Sequence, residues 1–269
     1  MKRAREIIRV LAALALVLAS VIPAQAADTL SQIVQKKELV VGTAGDMPPF
    51  NMTTKDGKLI GLELDLAGYM ASAMGVKLKV QTMSFKDLLP ALEAGKVDMV
   101  MSQMTMTPRR NLKVAFVGPY FISGKAFLTK NAAIAAAKKG EEINRPTVTL
   151  AALKGSTSQY FVERIMPKAK LVTTPNYDEA VKMVIEGKAD ALVADYPICV
   201  VSVFRFPGKG LVSLITPLTY EPIGIALPAG DTQLINWVEN FVGALEGSGE
   251  LKAITQRWLG EGDWLKQLP

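Results

Sequence analysis

The sequence contains no histidine at all among its 269 residues, and a single cysteine, Cys199. The first absence excludes Ser-His-Asp and Cys-His nucleophile systems and every metal site that needs imidazole. The second excludes an intrachain disulfide and any cysteine-cluster metal site. Aromatic residues are scarce at 7%, whereas hydrophobic residues reach 49%, a globular rather than a disordered or fibrous composition. Beyond the first 26 residues no apolar run approaches the length of a membrane span. No run of basic residues is interleaved with aromatics, so nucleic acid is a poor partner. Neither a metal nor a cofactor is expected.

What is present begins with a leader. Lys2, Arg3, Arg5 and Arg9 precede a short apolar run from Val10 to Ile22, and Ala24-Gln25-Ala26 has the small-x-small form of a cleavage site. Residues 1–26 therefore read as a secretory signal, and the expected location is the periplasm or the cell exterior. No cysteine follows the apolar run, so no lipid anchor is expected. The formal charge of +6 falls to +3 without this segment, which leaves 27 Lys+Arg against 24 Asp+Glu.

Strand and helix signals then alternate, which predicts an α/β fold with mainly parallel sheets. Glu38 to Thr43 is a strand running into the glycine-containing Ala44-Gly45. Met47-Pro48-Pro49-Phe50 must be extended. Asp56-Gly57 turns between two short strands. Leu62 to Met74 is a helix ended by Gly75, and Val76, Leu78 and Val80 alternate as in a strand. Phe85 to Ala94 is a helix despite Pro90, and Val97 to Ser102 is a buried strand. Cys199, beside Ile198 and Val200, is a small buried residue. Core packing is the expected role of the tryptophans on two C-terminal helices near 232–245 and 249–258.

The segment from Phe85 to Asp98 repeats at Tyr177 to Asp190 with a constant offset of 92 residues and no gap. An aromatic residue, Gly-Lys and Asp fall in register at Phe85/Tyr177, Gly95-Lys96/Gly187-Lys188 and Asp98/Asp190. Two similar lobes follow, one formed by 27–124 plus 226–269 and the other by 125–225, joined by hinge strands near 124–129 and 220–226. In open parallel sheets ligands sit beyond the carboxyl ends of the strands. Those ends fall at 43–47, at Ser102 to Arg110, at Gly155-Ser156-Thr157-Ser158 and at Asp195-Tyr196-Pro197. The Gly155–Ser158 turn offers free backbone N–H groups to an anion, or is a plain helix cap. Arg109 or Arg110 can grip a carboxylate with paired hydrogen bonds. Asp195 offers a carboxylate to a cation, or caps the next helix. Two anion grips and one carboxylate fit a zwitterion, and hence an α-amino acid.

These residues resemble a known family. Gly61-Leu62-Glu63-Leu64-Asp65-Leu66-Ala67, Leu89-Pro90-Ala91-Leu92 with Gly95-Lys96-Val97-Asp98, and Met104 to Arg110 leading to Phe116-Val117-Gly118-Pro119-Tyr120 are similar to the type II periplasmic substrate-binding proteins of polar amino-acid ABC transporters (solute-binding protein family 3). The resemblance implies a monomeric receptor that closes on an L-amino acid and delivers it to an ABC permease. It implies that Arg110 binds the ligand α-carboxylate and that Thr105 meets carboxylate and ammonium. Thr157 would offer its backbone N–H to the carboxylate, and Asp195 would pair with the ammonium. Gln103 would supply a backbone carbonyl, and Phe85 would form a wall. Met47 stands where many members carry an aromatic residue, and Ala44 where they often carry an acid, with Asp46 close by. Other readings are a cyclohexadienyl dehydratase-like lyase on the same scaffold, a module of a sensor or signalling receptor, and a binding protein for a solute other than an amino acid.

Overall fold

The computed structural model describes residues 28–214 and 218–269; the expected leader lies outside them. In chain order the first elements are α1 (Thr29–Lys36), β1 (Glu38–Thr43), β2 (Asp46–Met47), β3 (Asn51–Thr53), β4 (Leu59–Ile60), α2 (Leu62–Met74), β5 (Lys77–Thr82), α3 (Phe85–Glu93), β6 (Met99–Val100), α4 (Pro108–Asn111) and β7 (Val114–Ser123). There follow β8 (Lys125–Thr129), α5 (Ala132–Ala135), β9 (Thr149–Leu153), α6 (Thr157–Ile165), β10 (Lys170–Thr174), α7 (Tyr177–Ile185), β11 (Ala191–Asp195), α8 (Tyr196–Arg205), β12 (Val212–Ser213), β13 (Glu221–Pro228), α9 (Thr232–Ser248) and α10 (Glu250–Gly260).

Local chemistry accounts for these boundaries. Gly75 adopts a left-handed φ of 68° after α2 and returns its N–H to the carbonyls of Ala71 and Ser72. Helix α3 tolerates Pro90 because Phe85, Leu88, Ala91 and Leu92 all lie on one buried face. That packing outweighs the loss of one hydrogen bond. The strand expected over 97–102 pairs only at Met99 and Val100. Flanking residues add side-chain bonds to backbone ones: Asp98 accepts the Val40 N–H at 2.7 Å, and Ser102 Oγ accepts the Ala44 N–H at 2.9 Å.

Two five-stranded sheets result, in the orders β5-β1-β6-β13-β7 and β10-β9-β11-β8-β12. The first three strands of each run parallel and the fourth is antiparallel to the third. The 92-residue repeat is thus a repeat of structure. Asp190 accepts the Thr149 N–H at 2.8 Å, as Asp98 does that of Val40. Gly95 and Gly187 follow their helices with φ of 65° and 72°. Both aspartates replace a ladder partner at the start of a central strand, and this explains the Gly-Lys-x-Asp recurrence.

The chain passes from the first sheet to the second at Gly124, between β7 and β8, and returns along β13, which pairs antiparallel with β7. The two strands expected near 124–129 and 220–226 are found at 125–129 and 221–228. One apolar core lies in the first half around Leu39, Leu66, Ile225 and Val238, another in the second around Phe127, Leu150, Val162 and Val193. A third joins Met47, Phe85 and Leu88 to Leu153, Tyr177 and Ile198, so the facing ends of the two sheets are packed against each other. The tryptophans pack among other rings: Trp237 stacks on Phe241 at 5.3 Å, and Trp258 meets Trp264 at 6.0 Å. Cys199 is buried, and burial pushes its thiol pKa up.

Asp190→Ala strands the Thr149 N–H and breaks a 3.1 Å bond to Asn131. It should lower stability by about 1–3 kcal/mol. Urea unfolding checks this; an unchanged midpoint would show that the aspartate does not staple its sheet.

Candidate functional site

The site is assembled from strand ends and helix starts. Thr105 lies beyond β6 and bridges to Ile223 of β13. Thr107 caps α4 by accepting the Arg110 N–H, which fixes Arg110 on the first turn of a proline-led helix. Ser156 caps α6 through the Gln159 N–H at 3.1 Å, so the plain-cap reading of this turn holds for Ser156. Thr157 is the first residue of that helix. Asp195 ends β11 and begins α8, yet its side chain caps nothing.

The first and second halves meet through these residues. Thr105 Oγ1 and Thr157 Oγ1 lie 3.3 Å apart. Arg110 donates to the Thr105 carbonyl at 2.8 Å and, across the cleft, to the Gly155 carbonyl at 3.3 Å. Its guanidinium sits 5.5 Å from the centre of the Phe85 ring, a cation–π contact. Burial holds its pKa down to about 10, against the pull of Asp195 and Glu221. Arg109 is exposed and takes no part. The backbone of Gly155, at φ 81°, comes so close to Lys86 that a Cβ there would lie 3.1 Å from the Lys86 Cβ. Asp46 Oδ2 accepts the Tyr177 N–H at 2.8 Å, a second bond between the halves.

Two residues that sequence reasoning missed organise the floor. Lys125 is fully buried at the first position of β8, in register with Asp195. Its Nζ lies 2.6 Å from Asp195 Oδ1 and 3.4 Å from Glu221 Oε2. Glu221 Oε2 also accepts from Thr157 Oγ1 at 3.0 Å, and Oε1 from Thr219 Oγ1 at 2.9 Å. Burial pushes the Asp195 carboxyl pKa up and the Lys125 ammonium opposes this. Burial also raises Glu221, but Lys125 and the surrounding hydroxyls outweigh it, and its pKa ends below the usual range. In the sequence Lys125 is one lysine at the head of an apolar segment, and only the strand register sets it opposite an aspartate 70 residues away.

Gln103 carries two further anomalies. Its φ is 47°, left-handed and uncommon for a residue with a Cβ. Its peptide N–H donates to Glu63 Oε1 at 2.6 Å, and Glu63 also takes Asn51 Nδ2 at 2.6 Å and the Tyr120 hydroxyl. Burial raises the Glu63 pKa, and these three donors oppose the rise without cancelling it. The Gln103 carboxamide is buried with neither polar atom bonded. Met47 is buried, its sulfur 3.6 Å from Ser102 Oγ. Met104 is packed in the core beside it and Met106 lies by Gly224, so packing accounts for both.

Thr105, Arg110, Thr157, Asp195 and Phe85 thus form one connected cluster, with Gln103 and Met47 at its edge. Among the described residues no group of three or more potential metal ligands occurs, and no helix is long and apolar enough to cross a membrane.

Residues 39–261 match the bacterial extracellular solute-binding proteins, family 3. The chain is 27% identical over 258 residues to the cyclohexadienyl dehydratase of Pseudomonas aeruginosa, covering 96% of each protein. It is 29% identical to an L-arginine-binding protein of the same organism, over 82% of this chain and 88% of that one. A solved putative ABC-transporter binding component from Wolinella succinogenes, complexed with lysine, superposes with a TM-score of 0.81 at 38% identity, over 86% of this chain and 99% of the other. The shared two-sheet architecture and the match over most of the chain lead to one conclusion: the protein belongs to the bacterial extracellular solute-binding proteins of family 3.

Proposed function

We propose that the protein is a periplasmic receptor that binds an L-α-amino acid between its two sheets and delivers it to an ABC permease, working as a monomer after removal of residues 1–26. One observation carries this reading. At one end of the cleft Arg110 donates to two backbone carbonyls and to no carboxylate among the described residues. At the other end two carboxylates, Asp195 and Glu221, share the single ammonium of Lys125. The site therefore has one cation in excess at one end and one anion in excess at the other. A zwitterion laid along it pairs its carboxylate with Arg110 and its ammonium with the spare carboxylate charge. Every buried charge is then paired, which is what makes such burial tolerable. Thr105 and Thr157 hydroxyls lie between the two ends and suit the groups attached to the ligand Cα.

The lobes we assign are 27–124 plus 226–269 and 125–225, bending where the chain crosses at Gly124 and before β13. The ligand docks on Arg110, and the half carrying Thr157 and Asp195 closes over it, a hinged closure. The contacts of Gly155 with Arg110 and Lys86 belong to the closed state.

A second reading, a dehydratase-like lyase, is favoured by the relative of that name, which matches over 96% of each chain. Such a reaction needs a carboxyl to protonate a departing hydroxyl. Asp195 is the candidate: burial raises its carboxyl pKa, and the Lys125 ammonium 2.6 Å away opposes this. Turnover of prephenate or arogenate by the purified protein would establish this reading and displace the first.

Arg110→Ala should weaken amino-acid binding by about 2–5 kcal/mol, since it leaves the ligand carboxylate buried and unpaired. Titration calorimetry decides; near-native affinity would remove Arg110 from the site. Gly155→Val places a branched side chain against Lys86 at a left-handed φ. It should hold the halves apart. X-ray scattering is expected to show the ligand-induced decrease in radius of gyration for the parent and its loss in the variant.

A further inference from the structure

The crossing strands carry the chain between its two halves, and residues 263–269 bridge those halves a third time. This segment leaves α10 as a 3₁₀ turn over Asp263–Gln267 and is tied to the first half. Trp264 Nε1 donates to the Trp258 carbonyl at 3.0 Å, the Lys55 N–H to the Gln267 carbonyl at 2.9 Å, and Lys55 Nζ to the Lys266 carbonyl at 3.2 Å. The same segment also touches the second half. Trp264 and Leu268 share one buried apolar cluster with Met52 of the first half and Val201 of the second. Arg205 Nε donates to the Pro269 carbonyl at 3.2 Å, while Asp178 holds Nη1 of the same guanidinium at 2.5 Å. Leu268 and Pro269 thus lie along a groove between the halves, together with Arg205 and Asp178.

Val201 and Arg205 stand on α8, which starts where the chain first crosses: the Tyr196 N–H donates to the Gly124 carbonyl at 2.8 Å. At the rise of an α-helix they lie about 7 and 14 Å beyond Tyr196. A bend at Gly124 therefore displaces them relative to Met52 and Lys55, while Tyr196 stays close to the crossing. The contacts of the segment with α8 coexist with the Thr105–Thr157 and Arg110–Gly155 contacts across the cleft. An interaction made in only one of two states shifts the equilibrium towards that state by its own free energy.

We propose that residues 263–269 are a latch on the hinge motion. Docked on α8 they stabilise the closed state; opening undocks them, and ligand release is slowed accordingly. The crossing strands persist in both states, whereas the latch comes undone. Leu268 and Pro269 are adjacent, so apolar docking and the Arg205 bond form and break together. The proposal rests on the hinged-receptor reading above and goes beyond it, because the latch residues belong neither to the crossing strands nor to the clamp.

The test is stopped-flow kinetics of the full chain. Each proteinogenic L-amino acid is first titrated by calorimetry, and the tightest binder serves as the probe. Leu268→Ala should raise its dissociation rate about 5-fold or more, and Arg205→Ala about 3-fold, with association changed less than about 2-fold. The double variant should fall within about 2-fold of Leu268→Ala, since an undocked segment has no bond to Arg205 left to lose. A segment that merely covers the first half would lower the melting temperature of Leu268→Ala and leave the dissociation rate unmoved. If Leu268→Ala fails to fold, Arg205→Ala, which alters the half-buried second-half side of the contact, decides alone. Parental dissociation rates in the folded variants, or effects that multiply in the double variant, overturn the latch and leave the receptor reading standing. A folded parent that binds no amino acid overturns both.

Discussion

A lysine ammonium with no access to water sets the terms for much of the cleft. Lys125 heads the strand that first crosses into the second sheet, and Glu221 heads the strand that returns to the first. Asp195 ends the central strand between them in the register that places it beside Lys125. Burying an ammonium alone is prohibitive, so these three positions are mutually dependent. Both carboxylates lie close to the Lys125 ammonium, Asp195 at 2.6 Å and Glu221 at 3.4 Å. That dependence fixes where the crossing strands leave their sheets relative to the end of β11. The same dependence leaves one carboxylate charge to spare, and the fold's electrostatic need and the site's binding chemistry become one arrangement.

The first half of the cleft is built on a second buried acid. Glu63, at the start of α2, gathers the Gln103 N–H, Asn51 and Tyr120. Through Asn51 it reaches the loop after β1, because Asn51 Oδ1 accepts the Gly45 N–H at 2.7 Å. One carboxylate thereby anchors both loops that carry lobe-one site residues, 44–47 and 102–105. The left-handed backbone of Gln103 is held by this anchor; such strain persists only where its surroundings over-determine it. The contrast between the two acids is instructive. Glu63 is fully satisfied and serves the scaffold. Asp46 is only half satisfied: its Oδ2 takes the Tyr177 N–H and its Oδ1 meets no donor.

Polar groups of the two halves meet directly across the cleft. Hydroxyl meets hydroxyl at Thr105 and Thr157, guanidinium meets carbonyl at Arg110 and Gly155, and carboxylate meets helix N–H at Asp46 and Tyr177. Polar contacts of this kind exchange readily for water, unlike a continuous apolar seam. An apolar cluster around Phe85, Tyr177 and Ile198 also spans the halves.

Local signals in the sequence were strong enough to define most of the fold. Helix α2 and strand β1 fall where apolar periodicity and Gly75 place them, and the 92-residue offset appears as paired helices, glycines and aspartates. These features depend on neighbours a few residues apart, so pattern alone carries them. The segments 102–110, 155–158 and 195–197 were legible as strand ends, where open α/β sheets bind, and the family resemblance singled out Thr105, Arg110 and Thr157 within them. Lys125, Glu221 and the accounting of charge were not legible. Each is an ordinary charged residue in an apolar or proline-flanked setting, and its meaning comes from partners up to 96 residues distant. Whether Asp195 caps the helix after it was likewise decided by tertiary structure, in which its side chain caps nothing. Sequence determines which chemistry is available at the ends of the strands. Tertiary structure decides which charges are already spent on one another and which remain for a ligand, because pairing depends on distances between elements that local pattern does not encode.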